Sequence, residues 1–395
     1  MLYVLYDILR EWLFDRGLVW PLAVLDQLEV RALGALGVAF AAVVLCGRRV
    51  IRWLVSMKVG DSGITDAEAL RAVAAGKSNI PTMGGVLIVS AILIATLLLA
   101  DVRQFYVQLG VVVLVWLAAL GGMDDFLKLT AARRGAGSRQ GLYAWEKLVF
   151  QLGVGVLVGY FAYRHGATEG ARDLQHVLNV PFQKTYENKG GVIAEGLVYL
   201  SLPVFVLIMT LMVAGLSNAV NITDGMDGLA SGTMVAAALG LLILAFVAGD
   251  LRWAQELLVP HVPGAGELGV VLAAIVGACL GFLWWNCAPA QVFMGDTGSL
   301  SLGGILGYIA VVTRQEFVVL VMCGVFLLEI ASVVMQVGWF KYTRIRTGTG
   351  RRIFRVAPFH HHLHMGGWQE SQVVSRLWIV AVLCVVIGLV LVKLR

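Results

Sequence analysis

Hydrophobic and polar residues follow one another along this chain in long blocks. Extended apolar runs are separated by shorter polar segments. A helix that crosses the hydrocarbon core of a bilayer needs about 20 predominantly apolar residues. The pattern predicts ten membrane-spanning helices, at 33–46 (with an extension to Val55), 83–100, 105–122, 148–163, 197–216, 228–248, 268–285, 299–313, 316–340 and 373–392.

The segment that precedes the first run, 1–30, has a different pattern. Its first 16 residues, MLYVLYDILREWLFDR, mix apolar and charged positions at helical spacing. We therefore expect an amphipathic helix that lies in the membrane interface rather than one that crosses the bilayer.

Composition supports this interpretation and excludes a soluble protein. The AVILMFWYC set makes up 59% of the 395 residues, and Asp, Glu, Lys and Arg make up only 14%, whereas an average soluble domain is about 25% charged. The formal net charge is +5, but the chain has no nucleic-acid-binding motif, so we expect no nucleic-acid partner. The predicted fold is an all-α integral membrane protein that forms one domain over residues 1–395.

The distribution of basic residues predicts the orientation of the chain. The loops that follow spans one, three and nine hold 17 of the 30 Lys and Arg residues, and cytoplasmic loops carry an excess of such residues. We therefore expect a multi-pass membrane protein with these loops in the cytoplasm and both termini on the opposite side of the membrane. The long loop 164–196 then lies on that opposite side too, and its polar, Gly-containing centre predicts a small β-hairpin that turns near Asn188–Gly191.

Five polar motifs lie in loops that share the predicted cytoplasmic face. Ionisable residues at a membrane edge are costly, so their convergence on one face predicts an active site built from loops at helix ends. These loops are 47–82, 121–147, 217–227, 286–298 and 341–372.

The acidic and amide residues in these loops are candidate metal ligands. Their carboxylate and amide oxygens suit Mg²⁺, which binds through one or two carboxylates together with substrate phosphates. The simpler alternative is that they are juxtamembrane charges and helix N-caps. The residues are Asp124, Asp125, Asn221, Asp224, Asp227 and Asp296.

The basic residues of the same loops suit phosphate. Lys77 precedes the helix start Pro81–Gly85, where free backbone N–H groups favour an anion. His360, His361 and His362 follow an Arg-rich stretch; consecutive histidines cannot all reach one metal ion, so we interpret them as phosphate donors rather than as a metal tract or a solvated basic loop. Acids for Mg²⁺ beside bases for phosphate indicate phosphoryl transfer from a water-soluble donor to a lipid acceptor.

The motifs themselves resemble those of a known family. PTMGG (81–85), MDDFLKL (123–129), NAVNITDGMDGLASG (218–232), NCAPAQVFMGDTGSLSLGG (286–304) and APFHHHLHMGGW (357–368) are similar to the motifs of the phospho-N-acetylmuramoyl-pentapeptide transferases. The wider superfamily is the polyprenyl-phosphate N-acetylhexosamine-1-phosphate transferases. The resemblance implies transfer of phospho-MurNAc-pentapeptide from UDP-MurNAc-pentapeptide to undecaprenyl phosphate, with Mg²⁺ as cofactor. It also implies a bacterial inner membrane, with the active site facing the cytoplasm and both termini and the loop 164–196 in the periplasm. We expect a homodimer in contact with membrane lipid.

The resemblance also implies a role for each matching residue. Asp124 and Asp125 are expected to be catalytic, and Asp296 with Asn221 to bind Mg²⁺. The histidine motif His360–His362 is expected to take part in catalysis. Asp227, Asn286 and Phe293 are expected to form a uridine pocket, in which Phe293 stacks on the uracil ring. The remaining expected substrate-binding residues are Lys77, Thr82, Lys128, Lys147, Asn218 and Asp224.

Two departures from the family pattern and two alternatives stay open at this point. Asn79-Ile80 stands where the family has Gly-Thr, and His364 stands where it has Glu, so the local loop shape and the charge near the donor are in question. A transferase for UDP-GlcNAc or a similar sugar is the first alternative. A transporter with acids at the bilayer midplane is the second.

Overall fold

The computed structural model describes residues 1–16, 23–56, 80–131, 141–166, 174–187 and 191–393, and most of them lie in helices. The all-α architecture predicted from the apolar pattern is confirmed. The helices are α1 (Leu2–Asp15), α2 (Leu28–Ser56), α3 (Gly85–Leu99), α4 (Phe105–Ala131), α5 (Ala144–Gly166), α6 (Leu202–Thr223), α7 (Leu229–Gly249), α8 (Leu251–Glu256), α9 (Glu267–Asn286), α10 (Gly295–Val312), α11 (Glu316–Met322), α12 (Gly324–Thr347), α13 (Phe359–His364) and α14 (Glu370–Lys393).

Seven of the described helices are long and apolar enough to cross a membrane: α2, α4, α6, α7, α9, α12 and α14. The prediction of ten spans is therefore confirmed only in part. The other three predicted spans do form helices, but α3 has only 15 residues. Helix α5 begins with the charged pair Glu146 and Lys147, and α10 begins with a polar turn around Asp296.

Helix α10 lies at the centre of the bundle and is buried along almost its whole length. Its glycines allow this position, because small residues let neighbouring helices approach closely. A Cβ atom at Gly303 would overlap the carbonyl oxygen of Leu216 on α6, and a Cβ atom at Gly304 would overlap the side chain of Leu117 on α4. The glycine-rich sequence of α10 thus lets the middle of this helix lie close to both α4 and α6.

A short 3₁₀ helix, Leu174–His176, and antiparallel bridges occupy the segment where a β-hairpin is predicted. Val177 pairs with Tyr199, and Tyr186 pairs with Ile193. These bridges are isolated, and no β-strand occurs among the described residues, so the hairpin prediction is not confirmed. Residues 188–190 of the predicted turn lie outside the described part of the chain.

At the opposite end of the bundle from the polar loops, a buried ion pair joins three segments. Arg31 of α2 contacts both carboxylate oxygens of Glu267 at the start of α9, at 2.8 and 2.6 Å, and donates to the carbonyl of Leu99 at 3.3 Å. The backbone N–H of Asp101 donates to the same carboxylate at 2.9 Å. Helix α1 packs beside this pair, with the ring of Tyr3 under the guanidinium of Arg31.

We expect Glu267→Ala to destabilise the protein by about 3–5 kcal/mol, because it leaves the buried charge of Arg31 without its partner. The measurement is the thermal unfolding midpoint of the purified protein in detergent. Arg10→Ala is the matched control, since Arg10 forms an exposed pair with Asp26 and such pairs contribute about 0–1 kcal/mol. Equal losses in the two variants would contradict this account of the ion pair.

Candidate active site

The start of α10 is the centre of the candidate site, and a carboxylate of α4 binds it. Asp125 accepts hydrogen bonds from the backbone N–H of Asp296 at 3.1 Å, from the backbone N–H of Thr297 at 3.0 Å and from the hydroxyl of Thr297 at 2.7 Å. The first N–H groups of a helix have no partner inside the helix, and a negative charge there is favourable. Asp125 therefore fixes the position of Asp296, and Gly121, where a Cβ atom would overlap the carbonyl of Asp296, allows the close approach.

Two lysines join Asp124 to Asp296. The ammonium groups of Lys128 and Lys147 lie 2.7 and 2.8 Å from the same carboxylate oxygen of Asp124. They lie 3.3 and 2.5 Å from one carboxylate oxygen of Asp296. The second oxygen of Asp124 accepts from the backbone N–H of Leu142 at 2.7 Å, and Asp124 is fully buried. The structure thus brings four of the predicted site residues into one charged cluster.

The three carboxylates described so far form a potential metal centre. Asp124, Asp125 and Asp296 each offer an oxygen atom, and these atoms lie within 4.8 Å of one another. Such a set of carboxylate oxygens fits a hard cation such as Mg²⁺. Asn221 lies beside it, but its amide nitrogen donates to Asp296 at 2.9 Å and to the hydroxyl of Ser299 at 2.9 Å. In this arrangement Asn221 orients a carboxylate.

The loop between α6 and α7 closes over the same helix start. The carboxylate of Asp224 accepts from the backbone N–H of Gly295 at 3.2 Å. Burial raises the pKa of Asp224 well above its ordinary value, and the neighbouring charge of Asp296 raises it further. Asn218 lies one helical turn before Asn221 and donates to Gln151 of α5 at 2.7 Å. Asp224 is thus at the site, whereas the described contacts of Asn218 connect α6 to α5.

Asn286 and Asp227, two of the residues expected in a uridine pocket, form hydrogen bonds to backbone groups of neighbouring loops. Asn286 accepts from the backbone N–H of Gly228 at 3.0 Å and donates to the carbonyl of Val292 at 2.8 Å. Asp227 accepts from the backbone N–H of Ala290 at 3.0 Å. Both side chains are buried, so their described contacts give them a role in the shape of the pocket.

Phe293 pairs its backbone with the segment that opens α3. Its N–H donates to the carbonyl of Pro81 at 2.9 Å, and its carbonyl accepts from the N–H of Gly84 at 2.8 Å. The ring of Phe293 is only partly buried, as is Thr82, so both side chains reach the surface near the cluster. Lys77, the remaining predicted residue, lies outside the described residues, as does Asn79 of the first departure.

The three consecutive histidines of α13, His360, His361 and His362, have different environments, and the rings of the first two lie 4.2 Å apart. His360 is fully buried, its ring nitrogen Nδ1 lies 3.1 Å from a carboxylate oxygen of Glu329, and its backbone N–H donates to the same oxygen at 3.2 Å. Its ring also packs against Gly225, beside Asp224. The ring nitrogen Nδ1 of His362 accepts from the backbone N–H of Arg355 at 3.2 Å.

Glu329 of α12, the carboxylate partner of His360, is not among the candidate residues predicted from the sequence. The signal that could have found it is its position, because a single acid inside an apolar run is by default a functional residue. The pairing partner could not be predicted, since Glu329 and His360 are 31 residues apart. Glu329 connects the histidine motif to the core of the bundle.

His364, the second departure from the family pattern, lies at the end of α13. Its ring nitrogen Nδ1 lies 2.9 Å from the carbonyl oxygen of Trp368. The described contact is therefore local to this loop.

We expect Asp125→Ala to lower the free energy of unfolding by about 1–3 kcal/mol or more, because it leaves buried N–H and O–H donors at the start of α10 without an acceptor. The measurement is again the unfolding midpoint in detergent. Thr130→Ala is a control on the same helix, because the Thr130 hydroxyl only donates to the carbonyl of Phe126 in its own helix. A loss in Asp125→Ala no larger than in the control would show that Asp125 does not hold this helix end.

Comparisons with known proteins agree with this geometry. The family model described as glycosyl transferase family 4 matches residues 107–314, and the phospho-N-acetylmuramoyl-pentapeptide-transferase signature 1 matches residues 77–89. The phospho-N-acetylmuramoyl-pentapeptide-transferase of Salinibacter ruber (strain DSM 13855 / M31) is 38% identical over 404 residues, an alignment that covers 100% of both chains. This chain therefore belongs to glycosyl transferase family 4 and to the phospho-N-acetylmuramoyl-pentapeptide-transferase family.

Proposed function

We propose that this protein transfers phospho-MurNAc-pentapeptide from UDP-MurNAc-pentapeptide to undecaprenyl phosphate, which gives lipid I and UMP. The relative that matches over the full length supports this activity. The observation that carries the proposal is the cluster of three carboxylates and two lysines at the start of α10. Phosphoryl transfer needs a divalent cation and fixed positive groups at one place, and the cluster offers carboxylate ligands for the cation and two lysines as the positive groups.

The bond changes are those of a direct displacement. An oxygen of the lipid phosphate forms a bond to the sugar-bearing phosphorus of the donor. The bond between that phosphorus and the bridging oxygen breaks, so that UMP leaves with the bridging oxygen. No covalent phospho-enzyme is required.

Asp296, with one more carboxylate of the cluster, would hold Mg²⁺, and Asn221 would orient Asp296. When it is bound, the ion supplies charge neutralisation for the diphosphate of the donor. Asp125 has its oxygens occupied by the start of α10, so its main contribution is to position Asp296.

Lys128 and Lys147 neutralise the charge that collects when two phosphate groups approach each other. Both ammonium groups are held by Asp124, which therefore fixes their positions. The acceptor needs little help to lose a proton, because a phosphate monoester has a second pKa of about 6 and is mostly dianionic near neutral pH. We therefore assign Asp124 an orienting role rather than that of a general base.

The number of membrane spans and the side of the membrane that the active site faces are part of the same proposal. We propose that α3, α5 and α10 complete ten spans together with the seven long apolar helices, because α3 is apolar and α10 lies buried between spans. The excess of basic residues in the loops of the site supports a cytoplasmic active site in a bacterial inner membrane. The homodimer stays a prediction.

A transferase for UDP-GlcNAc is the second candidate, and a donor comparison separates the two. With the purified chain, Mg²⁺ and undecaprenyl phosphate, we expect UMP release from UDP-MurNAc-pentapeptide at least about tenfold faster than from UDP-GlcNAc, since contacts to the extra groups of the donor contribute to specificity. Asp296→Ala is the inactive control. Faster release from UDP-GlcNAc would overturn the muramoyl assignment.

A further inference from the structure

Glu329 is a buried acid that the proposed reaction does not use. It lies inside an apolar helix, α12, and its side chain is fully buried. One of its carboxylate oxygens accepts from the backbone N–H of His360 at 3.2 Å and lies 3.1 Å from ring nitrogen Nδ1 of the same residue. A single acid therefore fixes both the first turn of α13 and the orientation of the His360 ring.

The His360 ring occupies the space where a side chain at position 225 would lie. A Cβ atom on Gly225 would lie 2.5 Å from ring nitrogen Nε2 of His360 and 3.6 Å from Nε2 of His361. The backbone of Gly225 does not have the positive φ that favours glycine, so the two histidine rings account for the glycine. His360 thus packs α13 against the loop between α6 and α7, which carries Asp224 and Asp227.

The histidines of the motif differ in what they can contact. His360 is fully buried, and its Nε2 has no hydrogen-bond partner among the described residues. It therefore has no surface to offer a substrate. His361 and His362 are only partly buried, and the ring of His361 packs against that of His360. A displacement of His360 would consequently move the rings that do reach the surface.

We propose that Glu329 is a positioning residue for donor binding, because it holds the histidine motif against the α6–α7 loop through His360. Asp227 of this loop accepts from the backbone N–H of Ala290 at 3.0 Å, so the loop belongs to the predicted uridine pocket. The histidine motif therefore adjoins the nucleotide-sugar donor rather than the lipid acceptor. The inference rests on the proposed function and deepens it, since it names a residue that shapes the donor site without contacting the donor.

The alternative is that the acid–histidine pair only holds α12 and α13 together. A purely structural role predicts a lower unfolding midpoint and a smaller active fraction of the protein. An inactive fraction lowers kcat but leaves KM for both substrates unchanged, since the molecules that remain folded bind normally. A change in KM for the donor alone is therefore the readout that separates positioning from a structural role.

The first test removes the acceptor. In Glu329→Ala we expect KM for UDP-MurNAc-pentapeptide to rise about tenfold or more, because His360 loses the partner of two buried groups, while KM for undecaprenyl phosphate stays within about twofold of wild type. Glu329→Gln keeps an acceptor oxygen and should stay within about threefold of wild type in both KM values. Ser332→Ala is the matched control, because the buried Ser332 hydroxyl donates to the backbone carbonyl of Glu329 in its own helix.

Three results of this first test would overturn the proposal. They are a wild-type donor KM in Glu329→Ala, a parallel rise of both KM values in that variant, and a donor KM in Glu329→Gln as high as in Glu329→Ala. The first two would leave the pair a structural contact, and the third would show that an acceptor at this position is not enough.

The second test displaces the ring from the opposite side, so it is informative even if Glu329→Ala does not fold. The methyl group of Gly225→Ala would overlap the His360 ring, and we expect the same rise in donor KM with an unchanged acceptor KM. Combining Gly225→Ala with Glu329→Ala should raise the donor KM little further, because changes that act through one contact are not additive. A wild-type donor KM in Gly225→Ala, or additive effects in the double variant, would overturn the proposal.

The two tests separate this inference from the proposed function. If the wild-type protein releases no UMP from its donor, the proposed function fails, and the role assigned to Glu329 fails with it. If the wild type is active and Glu329→Ala has the same donor KM as Ser332→Ala, the function stands and only the positioning proposal fails.

Discussion

The buried start of α10 is the constraint on which the rest of the site depends. A helix that begins inside a bundle carries several backbone N–H groups that no residue of its own can satisfy, and burying them unpaired is costly. Here Asp125 of α4 and Asp224 after α6 supply the acceptors. Because these acids must reach the same helix end, they draw three separate segments together, and Asp296 is positioned as a consequence.

The same packing brings charged side chains together, and their net charge explains why the site needs a cation before it attracts phosphate. If all five groups are ionised, Asp124, Asp125 and Asp296 exceed Lys128 and Lys147 by one negative charge. A divalent cation would reverse that sign and make the site attractive to phosphate. The lysines alone are neutralised by Asp124 and Asp296, so the site is prepared for anionic substrates only when the cation joins it.

The sequence predicted the helical architecture and the principal acids for physical reasons. Long apolar runs have few alternatives to helices in a membrane, and acids at the ends of such runs are too costly to be incidental. The short span α3 and the polar first turns of α5 and α10 departed from the simple pattern because these helices serve the site as well as the bundle.

Other features could not be predicted, because they depend on contacts between distant parts of the chain. Asn286 and Asp227 resemble ligand-binding residues in the sequence, yet they hold backbone groups of neighbouring loops. Glu329 is marked in the sequence as a single acid inside an apolar run, but its partner is not, because only the fold brings it to His360.

The central claim is that Asp296, positioned by Asp125, binds the divalent cation. The most direct measurement is Mn²⁺ binding, followed by electron paramagnetic resonance, in the purified wild-type protein and in Asp296→Asn. The account predicts one Mn²⁺ ion per chain in the wild type, displaced by Mg²⁺, and binding weakened at least about tenfold in Asp296→Asn, as expected when a charged ligand is lost. Equal Mn²⁺ affinity in both proteins would contradict it.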